Sequence, residues 1–182
     1  MSRISNAIFP AGARLPECAR ALLRALYPTI RWNQVTIHPV VPAFLLKFTR
    51  DAVTLPDPLS LTRVRIFVAA EKWNGGKMDR ELLGILVHES YHVLQYQQRM
   101  GGYGLGPLRP FVMEYLAASI PHGGGRENRL ERPAYAQEEA FLRAWNRTAA
   151  KPCAATTPEV IHASVAELLR ADPALVKHRA EP

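Results

Sequence analysis

The segment from Asp79 to the Gly101-Gly102 pair constrains this chain more than any other. Asp79 stands where an N-cap belongs, Glu81 falls in the first turn, and the two glycines supply a stop. Between them Leu83, Leu86, Val87, Val93 and Leu94 recur at helical spacing, so a helix over 79–100 is expected. Inside it lies His88-Glu89-Ser90-Tyr91-His92. Residues four apart on a helix sit one turn above each other on one face, so both imidazoles can reach a single zinc ion at about 2.0–2.1 Å. Glu89 points to the side of that pair, where a carboxylate can hold a water. His88, His92, Gln95 and Arg99 share the face opposite Leu83, Leu86 and Val93, and Gly84, one turn before His88, leaves room for something to approach.

A catalytic zinc site needs a third protein ligand and an open position. Glu114, His122, Glu127, Glu131, Glu138 and Glu139 all lie downstream. Glu114 sits in the apolar run Phe111 to Leu116, where a lone carboxylate is costly unless paired with the metal, with Gln95 or Arg99, or with a ligand histidine. Glu131 has an alternative role in a capping box with Asn128, which Pro133 complicates because it would remove a helix hydrogen bond beyond the first turn. On spacing alone Glu131 ranks slightly above Glu114.

The surrounding pattern is helix, small sheet, then helices, an α+β order with segregated elements. A helix is expected over 16–27, strands over 34–41, 52–55 and 63–69, a turn at Asn74-Gly75-Gly76, and helices near 111–120, from Asn128 or Arg132 to Arg147, and after Thr157-Pro158. Asp172-Pro173 is expected to end the last helix and leave a mobile tail. With 182 residues the chain reads as a domain over 1–150 and a C-terminal helix and tail over 151–182. The formal charge of +7 comes mostly from scattered arginines without a tight basic run, which points to solvated surface and to no nucleic-acid partner. No apolar run approaches the roughly 18–20 residues that span a bilayer, so no membrane partner is expected. The first 16 residues show no continuous apolar stretch, and a cytoplasmic location is expected unless a signal-independent route exports the chain. Cys18 and Cys153, far apart and outside any metal-ligand spacing, are then expected to be free thiols.

With Gln95 included, the helix carries H-E-x-x-H-x-x-Q, and the segment Glu81 to Gln98 resembles a bacterial zinc metallopeptidase domain with that signature, a zincin of the type that uses Glu as third ligand. Leu15-Pro16, Val35-Thr36-Ile37, Ala52-Val53-Thr54 and Val64-Arg65-Ile66-Phe67 are similar to its upstream elements, and Asn128-x-x-Glu131-x-x-Ala134-Tyr135 is similar to the segment that supplies the third ligand. The likeness spans about residues 15–145; Tyr91 is bulkier than the aliphatic residue often found there. The resemblance implies a zincin-like fold and a Zn²⁺ site of His88, His92 and Glu131, with Glu114 beside it rather than on the metal. The resemblance supplies no substrate; a peptide or protein is expected from the metal-assisted hydrolysis that the motif suggests, with Glu89 as general base.

Tyr135, Tyr96 and His122 are candidates to donate to a developing oxyanion. The strand over 64–68 could offer an open edge to an extended peptide. The alternatives are a zinc-stabilised binding or scaffold module without turnover and an effector domain with a narrow target; Glu89 argues against a purely structural site.

Overall fold

The computed structural model describes residues 12–45, 51–57, 60, 63–100, 127–149, 151–154 and 157–179. Helix α1 (Glu17–Leu26) leads into strand β1 (Val35–His38), followed by β2 (Ala52–Pro56) and β3 (Val64–Val68). A short helix α2 (Ala70–Trp73) precedes the long α3 (Arg80–Met100), and α4 (Arg132–Arg147) and α5 (Pro158–Ala171) complete the chain. The α+β order read from the sequence is what forms. The helix expected over 111–120, with the glycine-rich stretches flanking it, lies outside the described residues.

Asp79 caps α3 as expected, its carboxylate accepting from the Leu82 amide at 3.0 Å. The expected strand at 34–41 is shorter, because a 3-10 turn over Trp32–Gln34 precedes it and Pro39 follows it. The turn before α3 contains more than a turn: α2 ends in the left-handed region at Asn74 (φ 42°), and Gly75 and Gly76 continue there at 66° and 81°.

The sheet order is β1-β3-β2, with β1 parallel and β2 antiparallel to β3. The expectation of an open edge at 64–68 is therefore corrected: β3 is the central strand, paired along both sides, and cannot accept an added strand. Alternation on β3 divides its side chains. Val64, Ile66 and Val68 enter the main core, while Phe67 packs with Val41, Leu45 and Ala69 on the other face. Arg65, also buried, pairs with Asp57 at 2.8 Å, an exception to the reading of every arginine as solvated surface.

The main core joins Leu22, Leu23 and Leu26 of α1, Leu82, Leu83, Leu86 and Val87 of α3, Phe141 of α4 and Ile161, Val165 and Leu168 of α5. The sequence pattern assigned α3 one apolar and one polar face; in the structure every residue from Leu82 to Ser90 is buried, because α4 covers the face that carries the histidines. The tail after Asp172 is also tied down rather than mobile. It forms a 3-10 segment over Pro173–Arg179, Leu175 is 1% exposed, and Gln137 and Arg143 of α4 donate to the Ala174 carbonyl and the Asp172 carboxylate.

Cys18 and Cys153 are joined in a disulfide, with Cα atoms 5.1 Å apart, which corrects the expectation of free thiols. Separation in sequence was a poor guide, because α5 and the turn before it fold back onto α1 and bring the two cysteines within bonding reach. The bond closes a loop of 135 residues and so removes much freedom from the unfolded chain. Reduction, or Cys18→Ser with Cys153→Ser, is expected to lower the unfolding free energy by roughly 3–5 kcal/mol while metal content stays the same. Denaturant titration with and without reductant measures this; an unchanged midpoint would contradict it.

Candidate metal centre

His88 and His92 lie on one face of α3, as their spacing requires. Glu131 arrives from the turn that opens α4. The Asn128 side chain accepts from the Leu130 amide at 2.9 Å, and its carbonyl accepts from the amides of Glu131 and Arg132. That turn, with Pro133 in the first turn of α4, carries Glu131 Oε2 to the two histidines.

Three atoms converge. His88 Nε2, His92 Nε2 and Glu131 Oε2 stand 3.2 Å from one another on all three edges. Zinc bonded at about 2.0–2.1 Å in a tetrahedron sets ligand atoms about 3.3–3.4 Å apart, so this triangle has the size of one tetrahedral face. All three residues are buried, with 8%, 6% and 4% exposure.

The outer hydrogen bonds decide what those atoms offer. Glu138 Oε2 lies 3.1 Å from His88 Nδ1, and a carboxylate can only accept, so Nδ1 carries the proton and Nε2 presents a lone pair. Gln95 donates its amide to the Leu130 carbonyl at 3.0 Å, which turns its oxygen toward His92 Nδ1 at 2.9 Å. His92 is thereby set in the same tautomer, with Nε2 bare. Two imidazole lone pairs and a carboxylate oxygen cannot share so small a buried space without a positive charge among them, so the site demands either a proton or a metal ion. The donor set of two imidazoles and a carboxylate suits a divalent transition metal. His88, His92 and Glu131 can hold a metal ion.

In the metal-free protein a proton fills that role. Burial pushes the His88 pKa down, but hydrogen bonds to Glu131 and Glu138 and the charges of Glu89 and Glu131 more than reverse this and raise it to about 10. His92 is also raised, with burial again opposed by Glu131 and Glu89.

Glu89 stays out of the triangle. It is buried, and its Oε2 accepts a 2.6 Å hydrogen bond from the Thr54 hydroxyl of β2. Tyr135 sets its ring against that of His88, with centroids 4.6 Å apart. Tyr96 is buried on α3, and burial, with the charges of Glu89 and Glu131 added, raises its pKa. Glu114 and His122 lie outside the described residues.

Gly84 had left room for an approach, and what approaches is α4: a Cβ at Gly84 would meet Leu142 Cδ2 at 3.4 Å and Glu138 Cγ at 3.8 Å. Sequence reasoning counted Glu138 among the possible ligands and missed its outer role. A signal was present, since Glu138 is two helical turns beyond Glu131 and on the same face. Comparison of the chain with protein-family models, with curated proteins and with solved structures returns no match.

Two expectations follow from this geometry. Glu131→Gln removes the anionic ligand and should cost zinc affinity sharply, whereas Glu138→Gln should cost about 10–100-fold, as loss of a hydrogen bond to a ligand histidine does. Equal losses in a zinc titration would show that the two carboxylates are wrongly assigned. The second concerns protons. The raised His88 pKa stabilises the metal-free fold fully below the unfolded value of 6.5, and that contribution is lost as pH rises through about 10. Metal must displace this proton, so apparent affinity should climb about tenfold per pH unit between those values. Calorimetry in buffers of different ionisation enthalpy should find about one proton released per zinc bound; zero would refute the protonated His88.

Proposed function

We propose that this chain is a zinc-dependent hydrolase with a zincin-like active site, and that it cleaves peptide bonds. The observation that carries the reading is the division of labour among three carboxylates, two of them buried and Glu138 partly exposed. Glu131 completes the triangle of ligand atoms, Glu138 orients His88, and Glu89, beside the first ligand, is held apart by Thr54. A site that served only to pin helices together would have no use for that separate carboxylate.

His88, His92 and Glu131 would hold the ion. Bound zinc lowers the pKa of its water toward about 7 and polarises a carbonyl. Glu89 would take the proton from the attacking water at its free oxygen and return it to the leaving amine. Gln95 and Glu138 keep the two imidazoles in the tautomer that presents Nε2. Tyr135, with its ring on His88, and the buried Tyr96 are the described candidates for stabilising charge on the substrate oxygen.

A peptide or protein substrate suits the reaction, with neither nucleic acid nor a membrane as partner. Among the described residues no helix is long and apolar enough to cross a membrane. The Cys18–Cys153 bond fits work in a compartment where thiols are oxidised, rather than the cytoplasm first expected.

Glu89→Ala should bind zinc as the wild type does and lose hydrolysis of a broad peptide mixture by on the order of a hundredfold or more. Metal analysis beside product detection by mass spectrometry makes the test. Undiminished cleavage by the variant would place the base elsewhere or expose a contaminating protease.

A further inference from the structure

Thr54 lies on β2 opposite Ile66 of β3, and the residue is 5% exposed. A buried strand position of this shape is filled at least cost by valine, since a buried hydroxyl must find a hydrogen-bond partner. Both acceptors that Thr54 reaches belong to one residue: Glu89 Oε2 at 2.6 Å and the Glu89 carbonyl oxygen at 3.1 Å. In return, Thr54 is the side-chain partner of the Glu89 carboxylate among the described residues.

We propose that Thr54 is a positioning residue for the base Glu89, a role that rests on the hydrolase reading above. A glutamate has three rotatable bonds, and a base works only from within hydrogen-bond reach of the proton it removes. Branching at Cβ stiffens Thr54 at χ1, so the sheet carries the hydroxyl to a defined point against α3. There it binds one carboxylate oxygen and leaves the other for water. The sheet thereby takes part in the site although it supplies no metal ligand.

The test uses the zinc-loaded full chain as wild type, Thr54→Val, Thr54→Ala, Thr54→Ser and Glu89→Ala. The probe is acetohydroxamic acid, which ligates zinc and gives up its hydroxyl proton to a neighbouring base. Thr54→Val and Thr54→Ala should keep full zinc content and bind the probe about tenfold more weakly, the loss expected for one hydrogen bond to a charged group. Thr54→Ser, which restores the hydroxyl, should return to within about twofold of wild type. On any peptide the wild type cleaves, the loss should fall on kcat with KM unchanged. Running two truncations keeps the comparison intact if one packs badly, and thermal unfolding identifies that case. Wild-type affinity in both truncations while Glu89→Ala is weakened overturns the role of Thr54 alone, as does a serine variant as weak as valine. Failure of the wild type to bind the probe, or equal binding by Glu89→Ala, overturns the hydrolase reading itself.

Discussion

The packing of α4 against α3 is the contact on which the rest depends. Neither helix holds the site alone: α3 brings two imidazoles and Glu89, α4 and its opening turn bring Glu131 and Glu138. The helices must approach closely for ligand atoms on different elements to stand 3.2 Å apart. At Gly84 the helices lie close enough that an added Cβ would be in ordinary van der Waals contact with Leu142 and Glu138. Ala134, Ala140 and Ala144, all fully buried, keep α4 slim.

Burying so much polarity under one helix crossing is costly, and the structure offsets it by pairing the polar groups around the two histidines, although Ser90 Oγ on the same helix is buried without a hydrogen-bond partner among the described residues. Each histidine is bound at both nitrogens, Gln95 spans from His92 to the Leu130 carbonyl, and Glu89 is met by Thr54. Such a network has one weak point, the small space between the three converging atoms, and there a cation of some kind must sit. Hydrogen bonds to Glu131 and Glu138 hold a proton on His88 in the absence of metal, and a metal ion bound there would displace it.

The outer elements hold this crossing in place. Helix α5 packs on both α1 and α4, and the Cys18–Cys153 bond ties α1 to the turn ahead of α5. The tail past Asp172 returns to α4 through Gln137 and Arg143. On the opposite side, Tyr27 at the end of α1 donates to the Val87 carbonyl, one residue before His88. Helix α3 is thus held on both sides of the turn that carries His88, a rigidity that suits a site able to hold a metal ion.

Local pattern determined much of this protein without help. The period of α3, its cap at Asp79 and the four-residue spacing of His88 and His92 are short-range facts, and one turn of helix places both imidazoles whatever else the chain does. Gln95 and Glu138 left a local signal too, one turn after His92 and two turns after Glu131, but their bonds to the histidines were not read from it. Tertiary structure decided the remainder. Whether Glu131 reached the histidines depended on how α4 docks, and the segment over 64–68 became a central strand only because β1 and β2 paired on either side. The cysteines met because α5 folds back on α1, and Thr54 reached Glu89 because β2 lies across α3. Helical periodicity is written in neighbouring residues, whereas contacts between elements distant along the chain arise from the packing of whole faces, which no local spacing records.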